Sequence, residues 1–223
     1  MPWIEQLRLA NWNLAAGLCL GAYALGCFTA AYYLVRLWTG QDIRELGSCS
    51  VGAKNAGRFL GPAGFLLTLV FDCGKGAFTV WGSRHFTADN HLIMMAMLAV
   101  VIGHIWPVQL RFHGGKGIAT SLGALAMYDF YLALAFVILF LCALPFLRRT
   151  VLPGLFAFAC LPLVAFLFSR YSIDAALYDS INLTLLSMLA GLVLLAHHRN
   201  LIEEIVHLVH RDVHSETDES ESL

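Results

Sequence analysis

Charged residues are scarce in this sequence. Only 13% of its 223 residues are Asp, Glu, Lys or Arg, against about 25% in soluble domains, and 59% are hydrophobic. The mean hydropathy is +0.71. Because a bilayer leaves no water to satisfy backbone polar groups, long apolar runs of this kind predict membrane-spanning helices. The composition excludes an ordinary soluble domain and predicts an all-α integral membrane protein.

The chain also lacks an excess of basic residues and a basic segment ahead of its first apolar run. Its formal net charge is −1, so no basic surface indicates nucleic acid as a partner. The start of the chain, MPWIEQLRLANWN, has no basic n-region and no small-residue cleavage site. We therefore predict that no signal peptide is cleaved and that the first span directs insertion.

Paired cysteine motifs are absent as well. The six cysteines form no CxxC, and most lie inside apolar runs, which is typical of small packing residues. Cys49 is the exception, because it falls in a polar segment. Three histidines at helical spacing, His207, His210 and His214, suggest a metal site, but no Cys or carboxylate completes the set. We predict neither a metal nor a cofactor.

Apolar runs predict seven membrane segments. One of them, Ile118–Met127, has ten residues, which at about 1.5 Å per residue cannot cross the roughly 30 Å hydrocarbon core alone. We expect Gly114–Gly117 to join it as part of a broken or half helix. The other six are Ala10–Leu37, Gly61–Gly82, Leu92–Leu110, Phe130–Leu147, Val151–Ser169 and Ile181–Ala196.

Counting the short segment as a crossing places most loop cations on one side of the membrane. The opposite side then keeps only Arg8, Arg84 and Arg170. By the positive-inside rule, this asymmetry predicts seven spans with the N-terminus outside and the cation-rich loops in the cytoplasm. Those loops hold Arg44, Lys54, Arg58, Arg111, Lys116, Arg148, Arg149, Arg199 and Arg211.

Three divisions of the chain follow from these patterns. Residues 1–198 form the predicted transmembrane domain. Apolar residues at helical spacing predict a cytoplasmic amphipathic helix over residues 199–214. The acidic end, SETDESESL, predicts a disordered tail over residues 215–223.

The first polar cluster is RELGSCSVGAKNAGR, residues 44–58. Glycines alternate here with small donors and with the cations Lys54 and Arg58, a combination that suits a phosphate because backbone amides can approach the anion closely. The alternative is a solvated loop with turn glycines. The candidate phosphate ligands are Gly47, Ser48, Ser50, Lys54, Asn55 and Arg58.

The second cluster lies in GHIWPVQLRFHGGKGIATSLG, residues 103–123. Lys116 is surrounded by Gly114, Gly115 and Gly117, so exposed amides and an ammonium group predict a phosphate site. The segment lacks the serine or threonine after the lysine that a nucleotide P-loop requires. The alternative is a cytoplasmic hairpin whose cations serve only topology, with His104 packing at a helix end.

The third cluster, His197-His198-Arg199-Asn200, lies where the last span meets the cytoplasm. Its alternative interpretation is an interfacial anchor. Asp72 and Lys75 form a further feature, since a lysine at mid-bilayer is costly and rarely idle. Their i, i+3 spacing allows an ion pair. The sequence leaves open whether this pair only locks helix packing or takes part in the site.

Together these motifs resemble the PlsY family of bacterial membrane glycerol-3-phosphate acyltransferases. The family's GSGNxGATN type of motif stands here as GSCSVGAKN, followed by Arg58. Its DxxKG type stands as DCGKG, residues 72–76, and its GHxFPVxLxFxGGKGVAT type as GHIWPVQLRFHGGKGIAT. The HxxNI type stands as HHRNL, residues 197–201. Order and spacing are kept from about Gly21 to Ile205.

The resemblance implies a seven-helix, monomeric enzyme of the bacterial inner membrane with its active site at the cytoplasmic face. It would transfer an acyl chain from acyl phosphate to the 1-hydroxyl of glycerol 3-phosphate, giving lysophosphatidic acid. By motif position, the catalytic residues would be Ser48, Arg58, Lys116 and His197. The substrate-binding residues would be Gly47, Ser50, Lys54, Asn55, Lys75, Gly114, Gly115, Gly117 and Asn200.

Two alternatives stay open from the sequence. Buried Asp72 and Lys75 together with broken helices would also be natural in an anion or organic-phosphate transporter. The departures at Cys49, Ser50 and Lys54, where the family has Gly, Asn and Thr, would also fit a family member with an altered acceptor or lost activity. These three departures bear on the identity of the acceptor rather than on the fold.

Overall fold

A computed structural model describes residues 11–147, 151–171 and 175–198. All regular structure within these ranges is helical. Short 3₁₀ turns occur at Ile43–Glu45, Val108–Leu110 and Ala175–Tyr178. The α-helices are α1 Trp12–Cys27, α2 Ala30–Thr39, α3 Ala53–Phe86, α4 Asn90–Ile105, α5 Ile118–Tyr128, α6 Phe130–Leu147, α7 Val151–Tyr171 and α8 Ser180–Ala196.

Five helical segments in the described ranges are long and apolar enough to cross a membrane. In this division α1 and α2 together form Trp12–Thr39, and α4 with its following turn forms Asn90–Leu110. The shorter apolar helices are α5 and α8. Large apolar side chains such as Leu66, Phe78 and Leu163 are exposed along the spans, as expected of a surface that faces lipid.

The first predicted span is interrupted in the structure. The backbone at Phe28 and Thr29 is extended, so α1 ends at Cys27 and α2 begins at Ala30. The residues at the break are as apolar as their neighbours, and for this reason hydropathy predicts one continuous helix here. The physical cause lies elsewhere in the chain, in side chains that hydrogen-bond to the carbonyl groups of the break.

The second predicted span is longer than expected, because α3 begins at Ala53 inside the predicted polar loop. Its two parts meet at a kink at Gly61, which has a φ of 66° and a ψ of −164°. Pro62 begins the second part, where its missing N–H costs no helical hydrogen bond. The kink lies at the boundary that the sequence predicts for the membrane segment, and the part before it carries Lys54 and Arg58.

Helix α4 lies at the centre of the bundle. Its span is 67% buried, whereas the other candidate spans are 17–39% buried. Glycines allow the closest approaches: a β-carbon at Gly103 of α4 would overlap the Tyr23 carbonyl of α1. Similarly, one at Gly123 of α5 would overlap the Cys73 carbonyl of α3. Small residues at such crossings let helix backbones pack directly, as is common in membranes.

The two ends of the bundle differ in chemistry. One end holds the α2–α3 loop, the α4–α5 turn and the end of α8. The other end is held by polar pairs, including His91 Nε2 with Asp179 Oδ2 at 2.5 Å and Tyr178 with Asp129. Arg84 Nη2 also donates there to the Tyr128 carbonyl at 3.0 Å. The first two sequence clusters, together with His197 of the third, therefore lie at one end of the described bundle.

Candidate active site

Asn55 shapes the loop of the first cluster. Its amide oxygen accepts a hydrogen bond from the Ser48 backbone N–H at 3.1 Å. Its amide nitrogen donates to the carbonyls of Leu46 at 2.9 Å and Ser50 at 3.1 Å. The side chain is 2% exposed, and both its amide oxygen and its amide nitrogen are hydrogen-bonded within the loop. Asn55 thus fixes the path of residues 46–50.

The exposed side chains of this cluster stand around the folded loop. Gly47 has a φ of 57°, and a β-carbon there would lie 2.5 Å from Asn55 Oδ1 and 3.4 Å from Arg58 Nη1. Ser48, Lys54 and Arg58 are exposed, whereas Ser50 is partly buried. The structure therefore brings Gly47 and Arg58 together and leaves two cations on one open surface at the start of α3.

Cys49 occupies a left-handed backbone conformation, with a φ of 56°. Glycine adopts this region without penalty, whereas a side chain makes it unfavourable. The family motif has glycine at this position, so the structure gives a physical reason for that residue. The departure at Cys49 places strain in the loop rather than removing a functional group.

The second cluster forms a tight turn between α4 and α5. The N–H groups of Gly114 and Gly115 donate to the carbonyls of Ile105 at 3.1 Å and His104 at 3.0 Å. These two amides are therefore engaged within the protein, and the glycines serve close packing of the turn. Lys116 follows and is partly buried, and Gly117, with a φ of 85°, is the N-cap of α5.

Backbone and side-chain hydrogen bonds join the first two clusters. The Val51 N–H donates to the Gly114 carbonyl at 3.2 Å. Arg44 Nη1 donates to the Leu110 carbonyl at 2.9 Å. Arg44 also binds Asp42 with an Nη2–Oδ2 distance of 2.5 Å, and this hydrogen bond lowers the pKa of the Asp42 carboxyl. Arg44 is thus a tether between the loops, a role that its sequence context did not indicate.

His197 follows α8 directly and is 3% exposed. Its Nδ1–H donates to the Val193 carbonyl at 2.8 Å, which leaves Nε2 as the acceptor of the neutral ring. Burial, the largest cause, and the positive charge of Lys116 together lower the pKa of His197 to about 4, against the opposing effect of the hydrogen bond to Val193. His197 therefore lies within electrostatic reach of Lys116 in the second cluster. Asn200 lies outside the described residues.

Lys75 is buried away from these exposed groups. Its ammonium nitrogen lies 3.0 Å from Asp72 Oδ1 and 2.7 Å from His104 Nδ1. It also donates to the carbonyls of Phe28 at 2.8 Å and Gly26 at 3.2 Å. Because an ammonium group has three N–H donors, all of them have acceptors inside the protein. Lys75 therefore has no donor left for a substrate in this arrangement.

The link from Lys75 to His104 is one that sequence reasoning missed. The two residues are 29 positions apart and lie on different helices. The i, i+3 spacing pointed to Asp72 as the partner of Lys75, and the structure contains that pair. The ammonium group of an intramembrane lysine has more N–H donors than one carboxylate accepts. In the sequence, this excess of donors was the feature that could have indicated further partners for Lys75.

An apolar groove of about 410 Å³ adjoins the first cluster. It lies between α2 and the kinked start of α3. Phe59 connects it to the cluster, because a β-carbon at Gly47 would lie 3.2 Å from Phe59 Cε2. The groove is lined by Leu34, Trp38, Thr39, Phe59, Leu60, Ala63, Gly64 and Leu67.

The family of glycerol-3-phosphate acyltransferases matches residues 16–207, most of the sequence. The chain belongs to this family. Glycerol-3-phosphate acyltransferase 1 of Desulfitobacterium hafniense strain Y51 is 42% identical over 184 residues, which cover 82% of this chain and 87% of that protein. Glycerol-3-phosphate acyltransferase of Gloeobacter violaceus is 33% identical, covering 88% of this chain and 93% of that protein.

A crystal structure of PlsY (YgiH), an integral membrane glycerol 3-phosphate acyltransferase in its glycerol 3-phosphate form, is similar over 86% of this chain and 92% of that one. Its TM-score is 0.77 and its identity 28%. A second PlsY structure, the lysophosphatidic acid form, has a TM-score of 0.75. These findings confirm the predicted family, the acyltransferase class and the all-α integral membrane fold.

Proposed function

We propose that this protein transfers the acyl chain of an acyl phosphate to the 1-hydroxyl of glycerol 3-phosphate, giving lysophosphatidic acid and phosphate. The observation that carries the proposal is that the first two clusters and His197 of the third come together at one end of the bundle. Val51 joins Gly114 through the backbone, and the charge of Lys116 acts on His197. Membership of the glycerol-3-phosphate acyltransferase family supports the choice of acceptor.

Two phosphate groups, one from each substrate, have to be held at this end. Arg58, Lys54 and Lys116 supply the cations, with Ser48 and Ser50 as hydroxyl donors nearby. Helices α3 and α5 both begin at a glycine N-cap without a side-chain capping bond. Their first-turn amides and positive helix ends therefore suit an anion. Gly47, Asn55, Gly114 and Gly115 shape this surface, and Asn200 stays a prediction.

The chemistry needs positioning more than activation. An acyl phosphate is a mixed anhydride, so the acceptor oxygen attacks the acyl carbon, a C–O ester bond forms, and the bond to the phosphate oxygen breaks. Holding both phosphates aligns the reacting atoms, and the cations stabilise the departing phosphate. No covalent intermediate on the protein is required.

The hydroxyl proton has two possible acceptors, His197 Nε2 and an oxygen of the donor phosphate. A ring with a pKa of about 4 is a weak base at neutral pH. This favours the phosphate oxygen as the proton acceptor and gives His197 the task of orienting the acceptor hydroxyl through a hydrogen bond to Nε2. The protonated phosphate then leaves as inorganic phosphate.

The groove between α2 and α3 is the proposed binding site for the acyl chain. Its lining is mostly apolar and begins beside Phe59, next to the cation Arg58. An acyl phosphate could therefore place its anionic head on the first cluster and its chain along lipid-facing helices. No polar recognition of the chain is needed, because burial of methylene groups alone favours this position.

We propose a membrane topology on the same grounds. Seven crossings, with α1 and α2 as one and α5 as a short one, place the three clusters at the same end. The cations Arg44, Lys54, Arg58, Arg111 and Lys116 lie there, so the positive-inside rule favours a cytoplasmic active site in the bacterial inner membrane, with the N-terminus outside. We propose that the monomer is active. The predicted helix over 199–214 and the tail over 215–223 lie outside the described residues.

The transporter alternative loses its main support from the structure. It depended on Asp72 and Lys75 as a substrate or ion site near mid-membrane. Both residues are buried, at 2% and 5% exposure, and the donors of Lys75 are used by protein acceptors. The exposed candidate phosphate ligands of the first cluster lie at one end of the bundle, whereas transport requires polar access from both ends.

Phosphate release from palmitoyl phosphate by the purified protein tests the proposal. We expect release only when glycerol 3-phosphate is present. Lys116→Ala should lower kcat/KM by about 10²-fold or more, because removal of one preorganised donor to developing charge typically has this effect. Arg111→Asn is the matched control, since it removes an exposed cation from the same turn and Asn tolerates the left-handed backbone there. Full activity of Lys116→Ala would exclude the proposed phosphate site.

A further inference from the structure

Three ionisable side chains from α3 and α4 form a buried cluster below the α4–α5 turn. Asp72, Lys75 and His104 are 2%, 5% and 3% exposed. Lys75 Nζ lies 3.0 Å from Asp72 Oδ1 and 2.7 Å from His104 Nδ1, and His104 Nδ1 lies 3.6 Å from Asp72 Oδ1. We refer to these three residues as the buried cluster. The proposed reaction does not use any of them directly.

One side of the buried cluster holds the break between α1 and α2. Three successive carbonyls, those of Gly26, Cys27 and Phe28, accept hydrogen bonds from side chains at this break. Lys75 donates to the first and third, and Gln109 of the α4–α5 turn donates to the second. Unsatisfied carbonyls in a membrane interior are costly, so these side chains make the break possible.

The other side of the buried cluster supports Gly115, the residue before Lys116. The Gly115 N–H donates to the His104 carbonyl at 3.0 Å. A β-carbon at Gly115 would overlap the His104 ring, lying 2.7 Å from Cε1, and would also lie 2.7 Å from the Val51 carbonyl oxygen. The imidazole thus fills the space between Lys75 and the turn. A continuous path of contacts runs from the α1–α2 break through His104 to Gly115.

We propose that Lys75 and His104, held by Asp72, are positioning residues for Lys116. Lys75 holds the imidazole of His104 in place by donating a hydrogen bond to Nδ1. The imidazole in turn fixes the position of the α4–α5 turn through its contact with Gly115. The turn then presents Lys116 to the substrate phosphate at the distance that transfer requires. This inference rests on the proposed function of Lys116. It assigns the intramembrane ion pair to the geometry of the site rather than to direct substrate contact.

A general contribution to stability is the competing explanation, and two readouts separate it from positioning. The first variant is Asp72→Asn with Lys75→Met, which removes both charges together and leaves no unpaired buried ion. We expect this variant to have a KM for glycerol 3-phosphate or acyl phosphate at least about 10-fold higher than wild type. We also expect trypsin to cut after Lys116 at least about 10-fold faster, because the released turn opens locally.

Thr79→Val is the matched control for this measurement. Thr79 is buried on the same helix one turn further on, and its hydroxyl donates to the Lys75 carbonyl within the helix. The control should keep the wild-type KM and the wild-type cleavage rate. A double variant that folds and shows both wild-type values would overturn the proposal.

A double-mutant cycle between His104 and Gly115 keeps the inference testable if the charge variant does not fold. Gly115→Ala should reduce kcat/KM because its methyl group meets the imidazole, and His104→Ala should reduce it because the support is lost. In the combined variant the methyl group no longer meets the ring, and its close approach to the Val51 carbonyl oxygen is what remains. We expect its loss to be at least about threefold smaller than the product of the single losses. Losses that simply multiply would show that this contact does not position the turn.

These tests separate failure of the inference from failure of the proposed function. If wild-type protein releases no phosphate from palmitoyl phosphate with glycerol 3-phosphate, the proposed function fails. The trypsin measurement does not depend on activity, so cleavage after Lys116 still decides whether the buried cluster holds the turn.

Discussion

At the scale of single residues, the candidate site depends on groups that are hydrogen-bonded within the protein. Asn55 uses both its amide oxygen and its amide nitrogen to fold residues 46–50, and the backbone amides of Gly114 and Gly115 close the second turn. Motif positions alone suggest that all three bind phosphate. The structure divides the motifs into residues that build the surface and residues, such as Arg58 and Lys116, that present charge on it.

Cys49 is a residue where the chain departs from its family and the departure has a structural cost. Its φ of 56° is unfavourable for a side chain, by about 1–2 kcal/mol. Cys49→Gly should therefore stabilise the protein by about 1 kcal/mol, after allowance for the greater freedom of glycine in the unfolded chain. Thermal unfolding in detergent should show a midpoint a few degrees higher, with activity retained.

Cys142→Gly provides the contrast, since Cys142 is also an exposed free cysteine but lies inside α6. Glycine within a helix lowers stability by roughly 0.5–1 kcal/mol. An equal response of the two variants would contradict the role of backbone strain at Cys49.

His197 gives a prediction about pH and about kinetics. The pKa of His197 is lowered to about 4. The ring is therefore neutral above about pH 5 and becomes protonated only as the pH falls through about 4. Its protonation therefore contributes no loss of activity between pH 5.5 and 8. His197→Ala should mainly raise the KM for glycerol 3-phosphate, by about 10-fold, while kcat changes less.

The matching measurement compares pH profiles of kcat/KM for wild type and His197→Gln. The acid limbs should coincide, since they arise from groups other than His197. A limb near pH 6.5 that is present in wild type and absent in the variant would identify His197 as a titrating general base and contradict the orienting role.

At the scale of helices, two irregularities position the site. The break after α1 brings three carbonyls towards Lys75 and Gln109, and the kink at Gly61 directs the start of α3 towards the α4–α5 turn. Hydropathy could predict where α3 enters the membrane, because Gly61 and Pro62 mark that point in the sequence. It could not predict the break at Phe28, because the groups that stabilise it are 47 and 82 residues away in the chain.

The kink provides a test of this view of α3. Gly61 has a φ of 66° and no heavy atom within 4 Å of a β-carbon built there, so a substitution meets strain but no collision. Gly61→Ala should lower stability by about 1–3 kcal/mol, because a φ of 66° with a ψ of −164° lies in a region that is essentially restricted to glycine. It should also reduce kcat/KM, because relief of the strain straightens α3 and moves Arg58 away from Gly47.

Gly74→Ala is the matched control on the same helix. It also has open space around the added carbon but an ordinary helical backbone. Alanine is favoured over glycine inside a helix, so this variant should be at least as stable as wild type and fully active. Loss of activity in both variants alike would argue against a special role of the kink.

At the scale of the whole molecule, the sequence predicts more than the helices themselves. Scarce charge predicts the class, the apolar runs predict the segments, and the motifs predict the family. The depth of each polar residue was not accessible, because burial depends on contacts between distant helices. Lys75 is an example. Its spacing to Asp72 predicts the ion pair, but only the packing of α4 against α3 shows that His104 is a further partner of Lys75.

The activity depends on which side of the membrane the site faces, because soluble glycerol 3-phosphate must reach the site from one compartment. The proposed topology places the α2–α3 loop in the cytoplasm. Cys49 lies in that loop and is exposed, so it is a native probe of orientation.

A membrane-impermeant maleimide should label Cys49 in inverted inner-membrane vesicles and leave it unlabelled in right-side-out spheroplasts. Cys49→Ser, which lacks the thiol, should remove this labelling and so separate it from reaction at other cysteines. Labelling of Cys49 from the outside alone would reverse the proposed topology, and the active site would then face away from the compartment in which the positive-inside rule places its cations.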